Sequence, residues 1–268
     1  GEDILRELER RTGVPVLGVI PHLGELKLAS EDSALLETAR SVSGAAKVLV
    51  EVLRLPRISN HTDFEALSRE PGVSLRYVNR PEANRFPDLL IIPGTKSTMA
   101  DLRELRRRGL DRYVLRCAAA GAQVAGICGG YQMLGRKLFD PAGVESARRR
   151  EDGLGLLPVD TRFSSTKATF EVRATHNPSG VAVRGYEIHM GRTVRRGGDA
   201  LLNIVERQGR RVSDEDGSSA MNGNVWGTYV HGLFDSAPFR RQLLRGLRHA
   251  KGLPSPTAKS RDQGEQAL

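Results

Sequence analysis

From Gly126 to Gly135 the chain reads GICGGYQMLG, one cysteine among four glycines directly after the apolar run AQVAG. A strand that ends in G-x-C-x-G and runs straight into a helix has the layout of a nucleophile elbow, with the reactive residue on a strained turn at the strand's carboxyl end. Gly126 and Gly130 leave room for that turn, because side chains there would strike the neighbouring strand or the helix. Cys128 then faces the unpaired N–H groups of a helix's first turn, a setting that suits an anionic nucleophile. The same bend aims the Gly129 N–H at the oxygen of an attacked carbonyl. The expected chemistry is attack by sulfur on a carbonyl carbon. The other cysteine, Cys117, sits in the helix-like run LDRYVLRCAAAG and reads as a buried small hydrophobe.

Such a nucleophile needs a base, and the chain offers six histidines. In GNVWGTYVHGLFD, His231 closes a strand beside Gly232, and strand ends of an α/β sheet point to the rim on which the elbow stands. His189, in GYEIHMG, is the second candidate; Glu187 is two residues away on the same strand and shares its face, as in a polar pocket wall. His22, His61, His176 and His249 read as surface or structural residues. Sequence separation from Cys128 is no obstacle, since catalytic pairs meet in space.

The surrounding pattern must position these groups. VPVLGVIP (14–21), KVLVEVLRLP (47–56), VSLRYVN (73–79), DLLIIP (88–93) and AQVAGI (122–127) read as strands. Residues 31–42, 97–109 and 110–120 read as helices, and GGYQMLGRKLF starts another directly after Cys128. This alternation predicts an α/β fold, a mostly parallel twisted sheet with helices on both faces. From about residue 158 strand-like runs dominate and predict added antiparallel strands in the C-terminal half. A closing helix spans 236–250, with Ser236 as N-cap and Pro238 in its first turn.

The 268 residues carry 41 Lys and Arg against 32 Asp and Glu, a net charge of +9. The basic residues form short scattered clusters and aromatics are only 5%, so no nucleic-acid-binding stripe or stacking platform emerges. No paired Cys or His spacing suggests a metal site. No apolar run reaches membrane-spanning length and no secretory leader is visible, so the expected location is cytoplasmic, with both thiols reduced.

GICGGYQMLG together with GTYVHGLFD resembles the class I, triad-type glutamine amidotransferase domain. LPRISNHTDFEAL, IIPGTKSTMADL and GYEIHMGRT are similar to the cobyric acid synthase family of cobalamin biosynthesis, and the likeness runs from about residue 14 to 250. The resemblance implies that Cys128 attacks the side-chain amide of glutamine, forms a γ-glutamyl thioester and releases ammonia, with His231 shuttling the proton. It implies that Gln132 helps hold glutamine and that the PGT loop supplies a second oxyanion donor, the N–H of Gly94 or Thr95. Many triad amidotransferases carry glutamate two residues after the histidine. Here that position is Leu233, so the third member is missing or comes from elsewhere, with Asp235 a conceivable substitute.

The family also implies ATP and Mg²⁺, bound by an N-terminal ATP-binding domain, and a corrinoid polycarboxylate as the substrate amidated. The sequence has no G-x-x-x-x-G-K-[ST] loop, and PGTKST lacks its spacing. Residues 1–35 resemble the tail of the ATP-binding (dethiobiotin synthetase-like) domain, 36–251 the amidotransferase domain, and 252–268 read as a disordered tail. The chain, which starts at Gly1, is expected to be the carboxyl-terminal portion of a longer enzyme. Three alternatives stay open: amidation of another carboxylate, such as a peptidoglycan precursor or the a and c positions of the corrin ring; γ-glutamyl hydrolysis; and a non-catalytic binding module.

Overall fold

A computed structural model describes residues 2–18, 48–81 and 85–254. His22, the helix expected over 31–42, the boundary expected at residue 35 and the tail past residue 254 lie outside the described residues. Residues 14–18 form no strand. The chain divides into a first unit, residues 1–30, which carries helix α1 (Glu2–Thr12), and a second unit, residues 31–268.

The second unit opens with β1 (Val48–Leu53), α2 (Glu65–Ser68), β2 (Val73–Val78), β3 (Leu89–Ile92), α3 (Thr98–Arg107), α4 (Leu110–Ala119), β4 (Gln123–Ile127) and α5 (Gly129–Leu134). There follow β5 (Lys137–Phe139), β6 (Arg150–Asp152), β7 (Val159–His176), β8 (Val181–Arg195), β9 (Leu202–Arg207) and β10 (Arg210–Asp216). The chain then forms β11 (Ser218–Ala220), β12 (Val225–Thr228), β13 (Val230–His231) and α6 (Ala237–Ala250).

The first sheet has the order β11-β12-β4-β3-β1-β2 and is parallel throughout except for β11 at its edge. Its strands are apolar at successive positions because both faces are covered. Leu53, Leu90, Ile92 and Val124 pack against Met99, Leu102 and Tyr113 of α3 and α4. The alternate residues Val50, Val52, Leu89, Ile91 and Ile127 pack against Phe239, Leu244 and Leu247 of α6 and against Val172, Val183 and Ile204 of the second sheet. Each fully buried aliphatic side chain contributes about 1.5–3 kcal/mol. The second sheet, β10-β9-β7-β5-β6 with β8 bridging β7 and β13, is mainly antiparallel. The α/β architecture with added antiparallel strands therefore holds.

One local expectation does not. The helix after Cys128 stops after six residues instead of running on to Phe139. Gly135 is extended there, and a Cβ on it would lie 2.8 Å from the Val159 carbonyl oxygen. The backbones meet so closely that the chain leaves the helix, and Lys137–Phe139 joins β6 and β7 as a strand.

Candidate active site

Cys128 lies at the carboxyl end of β4 with φ 51° and ψ −108°, a conformation that costs a non-glycine residue about 1–3 kcal/mol. Its surroundings hold it there. Cys128 N donates to Thr228 O at 2.8 Å, and Gln132 N donates to Cys128 O at 3.1 Å. The helix approaches the sheet through glycine: a Cβ on Gly126 would sit 2.7 Å from the Gly130 carbonyl, and one on Gly130 would overlap the Ile92 carbonyl oxygen. Gly130→Ala is therefore expected to destabilise the fold by about 3 kcal/mol or more. Thermal unfolding checks this, with Gly246→Ala as a control of opposite sign. Gly246 lies in the middle of α6 with open space around it, so alanine there should add about 0.5–1 kcal/mol. The Cys128 thiol is buried and donates to the Ile188 carbonyl at 3.4 Å.

His231 stands on the same rim. β12 pairs directly with β4, and His231 follows three residues after the end of β12, held by the pairing of β13 with β8. Its Nδ1 is 2.6 Å from Asp63 Oδ2, and the other oxygen of Asp63 accepts the Gly232 N–H at 3.1 Å. A carboxylate only accepts, so Nδ1 carries a proton, and Nε2 points away from Asp63. Nε2 is buried without a hydrogen-bond partner among the described residues. Burial by itself lowers the pKa of His231, but the hydrogen bond to Asp63 and the neighbouring Cys128 thiol outweigh it and raise the pKa to about 10.

Asp63 is thus the third member of a Cys–His–Asp arrangement, and sequence reading missed it. It sits on the 3-10 turn His61–Phe64 beyond the end of β1, 168 positions from His231. Its one sequence signal is an acid in the loop after a parallel strand, on the sheet's functional rim. Leu233 is buried in the apolar cluster with Phe64 and Phe234, and Asp235 makes no hydrogen bond to His231.

The PGT loop closes the other side. A Cβ on Gly94 would be 3.0 Å from His231 Cε1, and one on Gly129 would be 3.3 Å from Thr95 N, so these backbones lie side by side at the elbow. Buried Asp101 fixes the loop from beneath, accepting from Thr95 Oγ1 at 2.5 Å and from Arg57 Nη1 at 2.8 Å.

Gln132 is buried with its amide engaged: Oε1 accepts from Thr98 Oγ1 at 2.7 Å, and Nε2 donates to Met190 O at 3.2 Å and Tyr229 Oη at 3.1 Å. His189 lies off the Cys128–His231 line. It stacks on Tyr229 with centroids 3.7 Å apart, Nδ1 facing Gly191 O at 3.2 Å, and burial lowers its pKa to about 4. Glu187 is buried and ion-paired with Arg207 at 3.1 Å. Among the described residues no group of three or more His, Cys, Asp or Glu is placed to hold a metal ion, and no helix is long and apolar enough to cross a membrane.

Residues 49–239 match the family described as the CobB/CobQ-like glutamine amidotransferase domain. The chain belongs to this family. It is 46% identical over 258 residues to the cobyric acid synthase of Moorella thermoacetica, covering 92% of this chain and 50% of the relative. It is 48% identical over 269 residues to that of Pelotomaculum thermopropionicum, covering 97% and 51%. The chain spans about half the length of the relatives it matches. The fold is similar to that of PurLQS from Thermotoga maritima, with TM-score 0.54 and 19% identity over 74% of this chain and 99% of that one. It is also similar to a crystal structure of a glutamine amidotransferase, with TM-score 0.53 and 20% identity over 76% and 99%.

In this CobB/CobQ-like domain the segment leading to the histidine is itself held by a buried acid. Asp216 accepts from Thr228 Oγ1 and from Tyr229 N, the latter at 3.2 Å. Burial raises its pKa to about 7, against the opposing effect of those hydrogen bonds. Tyr229 continues the support outward through Thr193, at 2.5 Å, and Thr161, 2.7 Å further on, tying β8 and β7 to the elbow helix.

Proposed function

We propose that the chain is the glutaminase part of a cobyric acid synthase, hydrolysing glutamine to supply ammonia for an ATP-dependent amidation. The observation that carries the reading is the strained Cys128 beside a buried His231 whose Nδ1 is held 2.6 Å from Asp63. With its proton passed to His231, Cys128 adds through sulfur to the amide carbon of glutamine, and the carbonyl oxygen takes the negative charge, facing the N–H groups of Gly129 and of Gly94 or Thr95. Protonated His231 gives its proton to the departing nitrogen, and ammonia leaves a γ-glutamyl thioester. Water then attacks the thioester, His231 takes the proton, and glutamate and the thiol are released. Gln132, with its amide held by Thr98, Met190 and Tyr229, ties the elbow helix to β8 and supports the glutamine site.

The acceptor in this reading is a corrinoid polycarboxylate. ATP and Mg²⁺ act in a separate ATP-binding domain, of which residues 1–35 are the tail, and the compartment is the cytoplasm. The test is to incubate the purified chain with glutamine and measure ammonia. A glutamine-like electrophile should label Cys128 and spare Cys117, whose thiol is pushed up to about 12 by burial. Cleavage of a γ-glutamyl peptide with free glutamine ignored would replace this reading by a hydrolase, and failure to label either thiol would replace it by a binding module.

A further inference from the structure

We propose that Tyr186, anchored by Asn60, is a positioning residue that holds the His231 ring in the orientation required by Asp63 on one side and Cys128 on the other. The inference rests on the reading of His231 as the proton shuttle. Tyr186 lies directly opposite His231 where β8 pairs with β13. The two rings are stacked, centroids 5.2 Å apart and planes 15° from parallel. The strands come close enough that a Cβ on Gly185 would overlap the His231 carbonyl oxygen. Asp63 grips the imidazole at its Nδ1 edge, and tilting of the ring out of its own plane is limited by whatever lies on the ring's face. Tyr186 covers that face.

The tyrosine is itself fixed. Asn60 Nδ2 donates to Tyr186 Oη at 2.6 Å, and Asn60 holds a left-handed backbone, φ 53° and ψ 42°, which asparagine tolerates better than most residues. Asn60 immediately precedes the turn that carries Asp63. One loop thus supplies both the carboxylate at the edge of the imidazole and the clamp on the ring that covers it. The titratable groups around His231 are Asp63, Cys128, Tyr186 and His189, with Asp235 beyond Gly232. Burial, and then the charge of Asp63, push the Tyr186 hydroxyl up, so its ring stays neutral and presents a π face that favours imidazolium.

The test compares Tyr186→Leu, Tyr186→Phe, Asn60→Gly and the double variant Tyr186→Phe/Asn60→Gly in the 268-residue chain. Glutaminase kcat, KM and pH profile are measured beside the ¹⁵N NMR titration of His231. Glycine suits the left-handed backbone, so Asn60→Gly removes only the amide. Tyr186→Leu should lower kcat about 10-fold with KM within about twofold, and should move both the alkaline limb and the His231 titration to lower pH. Tyr186→Phe keeps the stack, so it and Asn60→Gly should each cost about threefold, and the double variant no more than either single, because all three lack one hydrogen bond. Wild-type kcat and titration in Tyr186→Leu, or additive losses in the double variant, would overturn the assignment. If Tyr186→Leu unfolds, the other three variants decide by that additivity. The titration needs no turnover: a lowered His231 midpoint without any glutaminase activity in the wild type supports the hold of Tyr186 on the ring and removes the glutaminase reading alone.

Discussion

Cys128→Ala is expected to abolish ammonia release from glutamine, a loss of at least about 10⁴-fold, while the protein stays folded and still binds glutamine. No second nucleophile stands ready. Cys117 is buried in α4, with its thiol pushed up to about 12. The backbone N–H groups at the elbow remain in the variant, so glutamine binding measured by calorimetry should change little. Cys128→Ser should be nearly as inactive, because a hydroxyl is a far weaker nucleophile than a thiol at neutral pH. Strain gives a second readout. Cys128 holds φ 51°, so Cys128→Gly should raise stability by about 1 kcal/mol even as it removes activity. A fall in stability on that replacement would show that the turn is not strained in solution.

Asp63→Asn is expected to lower kcat on the order of 10²-fold and to move the alkaline limb of activity to lower pH. The loss is smaller than in a serine hydrolase because a thiol depends less on its base. The sign follows from the charge. Burial opposes protonation of His231, and the hydrogen bond to ionised Asp63, with Cys128, raises its pKa from 6.5 to about 10. A neutral amide cannot supply that stabilisation, so imidazolium, the acid that protonates the departing nitrogen in the proposed mechanism, is lost at lower pH. Folding stability should respond in the same direction. A raised histidine contributes stability that is complete below about 6.5 and lost as pH rises through about 10, and Asp63→Asn should flatten that alkaline loss. An unchanged alkaline limb in Asp63→Asn would show that Asp63 does not govern the ionisation of His231.

The elbow was readable in the chain because its cause is local. Gly126, Cys128 and Gly130 lie within five consecutive positions, and the steric demand that makes the outer two glycines comes from the helix and strands packed against them. The parallel strands were readable for a similar reason, since apolar runs of four to six residues between helical segments leave few other arrangements. His231 was within reach of sequence reasoning because a strand end in such a sheet points to a known rim.

Asp63 was not legible, since no rule of spacing links a loop acid to a histidine 168 positions away. The register of β1, β3, β4 and β12 in the sheet brings their carboxyl ends together, and that order is a property of the folded chain alone. The same holds for Tyr186, which faces His231 only because β13 leaves the first sheet to pair with β8, and for the short helix after Cys128, cut off where two backbones touch at Gly135. Local sterics and periodicity act over a few residues and so can be read from neighbours in the chain. The hydrogen bonds that orient the imidazole span the whole domain and exist only once its two sheets have packed.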